Sequence, residues 1–407
     1  MSIYKEALEM HKKNAGKIDI VSKVKTENEH DLSLAYSPGV AEPCCVIAKH
    51  PQEINTYTAR GNMIAVVSDG SAVLGLGNMG ARAALPVMEG KCVLFKQFGG
   101  VSAFPICIDS QDNDEIVNTI KLLEPSFAGI NMEDIAAPRC FEIEDRLKRE
   151  TNMLIFHDDQ HGTAIVVLAG LVNALKIYGK DIKEVKIVIN GAGAAGTSIV
   201  NLLSNVDVSD MVVCDSRGII SKDRKDLNDP KRKMAEFTNP ENIKGGLFDA
   251  VENADVFIGV SVADVLTAEM INRMKKNPVI FALSNPEPEI KPEVAKKCGV
   301  DIIATGRSDY PNQVNNVLAF PGIFRGALDA GAIEINTDMK LAAAKAISEI
   351  ASGRLKKDYI IPKPFDKRVL PAVAVSVARA AMEGGNTYRK VDLKLIERKA
   401  KKIMETR

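Results

Sequence analysis

The feature of this sequence that most constrains its fold is the alternation of short apolar, β-rich runs with segments of helical periodicity. The first series has runs at 63–68, 92–96, 103–108, 128–131 and 153–157, separated by helix-like segments at 81–88, 113–123 and 139–149. A second series has runs at 185–189, 211–214, 255–260, 278–283 and 301–305. Such alternation predicts parallel sheets that are covered by helices on both faces.

A long, almost wholly apolar segment at 163–179 lies between the two series, and we expect it to be a helix buried between two domains. We therefore predict an α/β fold. An N-terminal α/β domain with a parallel sheet spans residues 1–160, a doubly wound Rossmann-type domain spans residues 161–385, and a helical tail spans residues 386–407. A chain of 407 residues agrees with two or three domains.

The charge balance excludes two classes of partner. Basic and acidic residues both total 53, so neither nucleic acid nor an anionic membrane is favoured. The seven cysteines form no CxxC pair, which is typical of free thiols in a reducing compartment. The polar N-terminus and the short apolar stretches lack the pattern of a signal peptide or membrane span. We predict a cytoplasmic protein.

A dinucleotide-binding turn is predicted at the start of the second series. The segment KIVINGAGAAGTSIVNLL joins a strand to a helix through Gly191-x-Gly193-x-x-Gly196, and Asp215 closes the next strand. The glycines permit a tight turn and a close approach of pyrophosphate, and Asp215 can accept hydrogen bonds from ribose hydroxyls. A glycine turn without a ligand is the alternative. Arg217 could instead receive a 2′-phosphate, so the pattern favours NAD over NADP only slightly.

Asn285 follows the fourth run of the second series, where the nicotinamide and its ribose would pass. It also directly precedes Pro286, and a turn-forming role explains it equally well.

Acidic residues follow the predicted strands of the first series, at Asp69, Asp109, Glu133, Asp134, Asp158 and Asp159. Ligands collect beyond the carboxyl ends of parallel strands, so the last four carboxylates could converge there. Oxygen ligands suit Mg²⁺ or Mn²⁺. Capping and loop roles explain these residues about as well. His157 and His161 are interpreted as packing or supporting groups, not as ligands.

Four stretches together resemble the malic enzymes, specifically the short form of bacteria and archaea. They are AYSPGVAEPC (35–44), LGLGNMGARAALPVMEGKCVLFK (74–96), FHDDQHGTAIVVLAGL (156–171) and SDYPNQVNNVLAFPGIFRGALDAGA (308–332). The resemblance covers nearly the whole chain.

The resemblance implies catalytic and metal-binding positions: Tyr36 as the general acid, Lys91 as the general base, Asp158 as the acid that positions the lysine, and Glu133, Asp134 and Asp159 as metal ligands. It also implies contacts to cofactor and substrate: Ala192, Gly193, Ala194 and Ala195 in the pyrophosphate loop, and Asn285 and Asn315 beside cofactor and substrate.

Three positions complicate the assignment of these roles from the resemblance. Strand topology alone favours Lys96, at the end of the run 92–96, over Lys91, and here we follow the motif. Ala72 stands where longer relatives carry an Arg for the malate carboxylate. Tyr36 alone, before Ser-Pro-Gly, would be interpreted as a turn-anchoring residue.

The implied activity is oxidative decarboxylation of (S)-malate to pyruvate and CO₂, with NAD or NADP and with Mg²⁺ or Mn²⁺, by a homodimer or higher homo-oligomer. The enzyme is also expected to decarboxylate oxaloacetate. Three alternatives remain: a metal-independent amino-acid dehydrogenase, a dinucleotide-sensing module, and a malolactic enzyme that releases lactate. Paired carboxylates argue against the first. The coexistence of Tyr36, Lys91 and the carboxylates argues against the second. Malolactic enzymes are typically longer, which argues against the third.

Overall fold

The computed structural model describes residues 3–406; residues 1–2 and 407, at the ends of the predicted domains, lie outside the described residues. The chain begins with four helices: α1 (Ile3–Asn14), α2 (Glu29–Ala35), α3 (Ala41–Lys49) and α4 (Ile54–Tyr57). None of the described residues from 3 to 62 is buried. This N-terminal part therefore contributes no core of its own.

The first domain is built on a four-stranded parallel sheet. Its strands are β1 (Met63–Ser68), β2 (Ser102–Cys107), β3 (Gly129–Met132) and β4 (Leu154–His157), in the order β2-β1-β3-β4. The helices between them are α5 (Ala81–Gly99), α6 (Asn113–Leu122) and α7 (Arg139–Glu150). Alternate residues of β1 face opposite sides: Ala65 and Val67 pack towards α6 and α7, while Ile64 and Val66 pack towards α5. The predicted parallel sheet, covered on both faces, is confirmed.

The predicted strand at 92–96 is wrong, because these residues form the second half of α5. The buried residues of α5 recur every three to four positions, at Ala81, Ala84, Met88, Lys91, Cys92, Phe95, Phe98 and Gly99. That spacing is a single helical face, and the short apolar run inside it resembled a strand only in isolation. The predicted helix at 81–88 is the first half of the same element.

One long helix, α8 (Asp158–Tyr178), connects the two domains and begins five residues before the predicted start at 163. It is the one helix among residues 3–406 that is long and apolar enough to cross a membrane, and most of that apolar stretch is buried inside the protein. Its residues belong to the largest core cluster, together with those of β4 and the second domain. Its burial is that of a core helix, as predicted.

The second domain is built on a six-stranded sheet. Its strands are β5 (Lys186–Asn190), β6 (Asp210–Asp215), β7 (Gly218–Ile219), β8 (Val256–Gly259), β9 (Val279–Ala282) and β10 (Ile302–Thr305), in the order β10-β9-β8-β5-β6-β7. Five strands are parallel, and β7 pairs with β6 in the antiparallel direction. The intervening helices are α9 (Ala194–Ser204), α10 (Asp229–Phe237), α11 (Leu247–Ala250), α12 (Ala268–Arg273) and α13 (Pro292–Lys297). The five parallel strands agree with the five predicted runs, and the two-residue β7 was not predicted.

The chain ends in four helices: α14 (Phe320–Ala330), α15 (Thr337–Ser352), α16 (Val369–Glu383) and α17 (Leu393–Glu405). They return to the first domain, where the rings of Phe320 and Phe324 of α14 pack against the ring of Phe95 of α5, the first tilted and the second edge to face. The tail helix α17 is amphipathic and buries Ile396, Ala400 and Met404 while its charged face stays in solvent. The predicted surface helix is therefore α17, and its apolar side packs against the rest of the protein.

Candidate active site

The predicted carboxylate cluster forms at the carboxyl edge of the first sheet. Parallel pairing sets Met132 of β3 beside His157 of β4, so the residues that follow each strand lie side by side. Glu133, Asp134 and Asp159 each place an oxygen within 4.8 Å of the others. The convergence expected from strand topology is therefore present.

The donor set of this cluster fits a divalent cation. Within residues 3–406, one buried oxygen of Asp134 (Oδ2) and one of Asp158 (Oδ1) have no hydrogen-bond partner. Burial, followed by the charge of Asp159, raises the pKa of Asp134 to about 7. Burial also raises the pKa of Glu133 well above its usual range, although Lys91 opposes the shift. Buried carboxylates that repel one another need a positive charge, and a hard cation with oxygen ligands supplies it.

Lys91 lies inside the same cluster. Its Nζ is 2.6 Å from Asp158 Oδ2 and 2.8 Å from Glu133 Oε1, and its side chain is 9% exposed. Nζ also lies 4.5 Å from the centre of the Phe320 ring. Burial alone would lower the pKa of Lys91, but the charges of Asp158 and Glu133 outweigh it and raise that pKa. Two carboxylates pair with the Lys91 ammonium, and their charges favour its protonated form.

Lys96 lies elsewhere. It is on the exposed face of α5, and its Nζ donates to Ser102 Oγ at 3.3 Å. Five residues along a helix turn a side chain through well over a full turn, so Lys91 and Lys96 do not share a face. The topology argument for Lys96 failed because it assumed a strand.

Two residues that were not predicted lie at the cluster. Asn316 Nδ2 donates to Asp158 Oδ2 at 2.5 Å, and Phe320 covers the Lys91 ammonium. Both lie in the stretch 308–332 that carried the resemblance. The predicted neighbour, Asn315, instead caps the 3-10 turn at Asn316–Leu318, accepting from Val317 N at 2.9 Å. A side chain's direction in such a turn cannot be read from spacing alone.

Of the two histidines, His157 contacts a carboxylate of the cluster and His161 contacts residues outside it. His157 is fully buried and lies between Asp159 Oδ2 (3.3 Å) and Gln160 Nε2 (2.6 Å). His161 Nε2 lies 2.7 Å from Glu144 Oε1. Neither belongs to the set of residues that could hold a metal ion. Both therefore occupy the packing and supporting positions that were expected of them.

The glycine turn between β5 and α9 has the expected shape. Gly191 has φ 121° and abuts the carbonyl of Val260, and a Cβ on Gly196 would collide with the carbonyl of Gly191. Gly193 faces open space, where a pyrophosphate could approach the backbone. Ala192, Ala194 and Ala195 complete the turn into α9. A cavity of about 1260 Å³ opens beside it and extends to Asp215.

Asp215 closes β6 on the wall of that cavity. Its Oδ1 accepts from Arg224 Nη1 at 2.8 Å, and its Oδ2 accepts from Lys231 Nζ at 2.7 Å. Burial would raise the pKa of Asp215, but these hydrogen bonds keep it below the ordinary value. Arg217 also lines the cavity and pairs with Asp226 at 3.0 Å. Asp215 is therefore ionised, yet several cations surround it.

The three remaining residues that sequence analysis singled out lie in loops or at the end of a helix. Asn285 is exposed after β9, and its carbonyl abuts Gly75 in the loop that follows β1. Ala72 lies in the same loop and donates through its backbone N to Asp134 O at 3.0 Å. Tyr36 follows α2, and 71% of it is exposed. The structure thus brings Lys91 together with the carboxylate cluster and leaves Tyr36 in solvent.

Comparisons with known proteins agree with this architecture. A family model described as "Malic enzyme, NAD binding domain" matches residues 160–382, and one described as "Malic enzyme, N-terminal domain" matches residues 13–115 and 110–148. The chain is 58% identical over 405 residues to a bifunctional malic/malolactic enzyme of Bacillus subtilis (strain 168), covering 99% of each. It is 52% identical over 371 residues to an NAD-dependent malic enzyme of Geobacillus stearothermophilus, covering 91% of this chain and 77% of the relative.

A solved structure matches over the same length. The crystal structure of malic enzyme from Pyrococcus horikoshii Ot3 superposes with a TM-score of 0.95 at 46% identity, covering 99% of this chain and 96% of that one. Two family models, close relatives and the fold of both domains all agree. The chain therefore belongs to the malic enzyme family, which catalyses the oxidative decarboxylation of malate with NAD or NADP.

Proposed function

We propose that this chain converts (S)-malate to pyruvate and CO₂ with a divalent cation held by Glu133, Asp134 and Asp159, with Lys91 as general base and Tyr36 as general acid. The observation that carries the proposal is the position of the Lys91 ammonium, 2.6 Å from Asp158 and 2.8 Å from Glu133 at the edge of the carboxylate cluster. A lysine and a cation site in direct contact can act on one hydroxyl group. The same site would decarboxylate supplied oxaloacetate.

The cation is Mg²⁺ or Mn²⁺. All three side chains offer oxygen, which these hard cations prefer, and no sulfur or imidazole joins the set of candidate ligands found among residues 3–406. A cation bound there would supply Lewis-acid stabilisation of negative charge on the substrate's oxygens.

Lys91 takes the proton of the C2 hydroxyl, while NAD(P) supplies the hydride acceptor. Asp158 and Glu133 raise the pKa of Lys91, and Glu133 is also a proposed cation ligand, so a cation bound beside Lys91 would shift that pKa back towards the neutral amine. Two contacts fix the position of Lys91 Nζ: the ring of Phe320 and the carboxylate of Asp158. Asn316 Nδ2 in turn holds Asp158 Oδ2 at 2.5 Å. Tyr36 then gives a proton to C3 after CO₂ has left, and pyruvate results.

NAD is the preferred cofactor. The turn from Gly191 to Gly196 would hold the pyrophosphate, and an ionised Asp215 would accept ribose hydroxyls and repel a 2′-phosphate. Because Arg224 and Lys231 already offset the charge of Asp215, we expect the preference to be only several-fold. Asn285 and Asn315 would contact the cofactor and the substrate.

Each domain has its own role: residues 1–160 hold substrate and metal, and residues 161–385 hold the dinucleotide. Residues 386–407 form a tail that packs on the rest of the chain. All seven cysteines are free, which suits the cytoplasm. The working form is a homodimer or a higher homo-oligomer.

Malolactic activity is the second candidate. The argument against it from chain length is wrong, because the relative of Bacillus subtilis named for both activities matches this chain over 99% of both lengths. Lactate would form if the reduced cofactor stayed bound and returned its hydride to pyruvate. The products made from malate discriminate between the two activities.

The role of Tyr36 is tested by separating the half-reactions. Tyr36→Phe keeps the ring and removes the hydroxyl, so conversion of malate to pyruvate and hydrogen exchange at the pyruvate methyl group should both fall about 10²–10⁴-fold. Reduction of supplied oxaloacetate to malate needs no proton at C3 and should fall far less. Tyr57→Phe, also on an exposed N-terminal tyrosine, serves as the matched control. Equal losses of Tyr36→Phe in all three assays would reject the assignment.

A further inference from the structure

We propose that Glu144, on α7, is a positioning residue for the cation site. It acts through Gln160 and His157, which connect it by hydrogen bonds to the carboxylate of Asp159. The side chains of Glu144, Gln160 and His157 are called the relay below. The inference rests on the proposed role of Asp159 as a cation ligand, and it adds a residue that lies outside the set of candidate ligands.

Glu144 is a buried and ionised acid. It shares the buried face of α7 with three residues of an apolar core, and 3% of it is exposed. Its Oε1 accepts from His161 Nε2 at 2.7 Å and lies 2.6 Å from Lys148 Nζ. Burial would raise the pKa of Glu144, but His161 and Lys148 hold it well below its usual range. An ionised carboxylate only accepts hydrogen bonds, so a group that faces Glu144 must donate.

The second oxygen of Glu144 fixes the amide of Gln160. Gln160 Nε2 donates to Glu144 Oε2 at 2.9 Å, and the same nitrogen lies 2.6 Å from His157 Nδ1. An amide nitrogen carries two hydrogens and cannot accept, so Nδ1 of the ring is the acceptor. Gln160 is 4% exposed and His157 is fully buried. Protein groups, and not bulk water, therefore decide both orientations.

The ring of His157 extends this order to Asp159. Because Nδ1 accepts, the ring carries its hydrogen on Nε2, which donates to Asp159 Oδ2 at 3.3 Å. A second hydrogen on Nδ1 would meet the amide hydrogens of Gln160, so the ring donates through Nε2 alone. The backbone N of Asp134 donates to the same Oδ2 at 2.8 Å. Two donors, one from the backbone and one from the relay, thus set the direction of the Asp159 carboxylate.

A purely structural role explains only half of the contacts of Glu144. Its Oε1 joins α7 to α8 through His161, whose Nδ1 also lies 3.1 Å from Ser198 Oγ on α9. This attachment of the helices is complete without Oε2. Oε2 instead leads through two buried side chains, each held in one orientation, to a proposed cation ligand. Partners one step removed from a ligand commonly hold its direction, and their loss costs about 10–100-fold in metal affinity.

Binding of Mn²⁺ to the purified protein without substrate tests the inference. The dissociation constant is obtained from the electron paramagnetic resonance signal of free Mn²⁺. Glu144→Gln keeps the size of the side chain but turns one acceptor into a donor, and we expect it to weaken Mn²⁺ binding about 10–100-fold. Glu142→Gln, on the exposed face of the same helix, is the matched control and should leave the constant unchanged.

Two further variants separate positioning from packing. Gln160→Met cuts the relay in its middle and leaves the contacts of Glu144 Oε1 in place, so it should weaken Mn²⁺ binding as much as Glu144→Gln does. His157→Asn keeps a polar group near the position of Nδ1 but is too short to reach Asp159. In the His157→Asn background, Glu144→Gln should therefore add no further loss, because the relay is already cut.

Asp159→Asn distinguishes failure of the inference from failure of the proposed cation site. If Asp159→Asn binds Mn²⁺ as tightly as the unaltered protein, Asp159 is not a ligand, and both are overturned. If Asp159→Asn loses affinity while Gln160→Met keeps it, the inference alone is overturned, whatever Glu144→Gln shows. A lower melting temperature of Glu144→Gln with an unchanged constant would leave Glu144 only its attachment of helices. Losses that multiply in the Glu144→Gln/His157→Asn double variant would also contradict the relay.

Discussion

Replacing Lys91 by Ala removes both the proposed base and the only cation that the chain itself places between Glu133 and Asp158 among the described residues. The side chain is 9% exposed, and its Nζ makes ion pairs of 2.6 and 2.8 Å. The change therefore has one consequence for the reaction and another for folding, and they are measured separately.

The expected losses of turnover and of folding stability both follow from the contacts of Lys91. Loss of a general base costs about 10²–10⁴ in turnover. Breaking a buried ion pair by removing one partner costs about 3–5 kcal/mol, because the remaining carboxylates stay buried without a counter-charge. Bound Mn²⁺ would replace part of that counter-charge, so Mn²⁺ should raise the melting temperature of Lys91→Ala more than that of the unaltered protein.

The assay compares Lys91→Ala with Lys96→Ala, a change on the exposed face of the same helix. Malate-dependent formation of NADH is followed at saturating Mn²⁺, and melting is followed with and without Mn²⁺. We expect Lys96→Ala to keep most of its turnover and its melting temperature. Loss of turnover in Lys96→Ala, with Lys91→Ala still active, would refute the assignment of the base.

Three further predictions concern the metal and the cofactor. Chelation should abolish turnover but change the melting temperature of the unaltered protein only slightly, because the ligands lie in loops at a sheet edge beside cores that form without them; global unfolding would make the metal structural. The pKa of Asp134 is raised from 3.8 to about 7, so the folded state binds the extra proton, and the stability of the metal-free protein should fall as pH rises through this interval. Mn²⁺ must displace that proton, so its stabilising shift should grow from about pH 6 to about pH 8, and a shift independent of pH would contradict the assignment. Asp215→Ala should raise kcat/KM with NADP relative to kcat/KM with NAD, because it removes both the repulsion of a 2′-phosphate and the hydrogen bonds to the ribose of NAD; an unaltered ratio would show that Arg224 and Lys231 already cancel the charge of Asp215.

Much of the fold follows from local pattern. Runs such as 63–68 and 185–189 are short, rich in β-branched residues and bounded by turns, so burial on both faces of a sheet is the arrangement that suits them. The run at 92–96 misled because five residues are too few to distinguish a buried strand from one face of a helix. The buried face of α5 extends from Ala81 to Gly99, and its period becomes visible only over that length.

The site was predictable where it depends on strand ends and not where it depends on tertiary contacts. Glu133, Asp134, Asp158 and Asp159 converge because the strands before them are paired neighbours. The pairing of Asp215 with Lys231 arises from a loop that folds back, and spacing along the chain does not report it. Tyr36 follows α2 and lies in solvent, so the argument from strand ends does not place it in the site.

The most direct test of the central claim is the product balance from malate. The purified chain is incubated with malate, NAD and Mn²⁺, and the pyruvate, lactate and NADH formed are measured together. A metal-dependent oxidative decarboxylase forms pyruvate and NADH in equal amounts, and a chelator stops both. Lactate without net NADH, or turnover that survives chelation, would contradict the account.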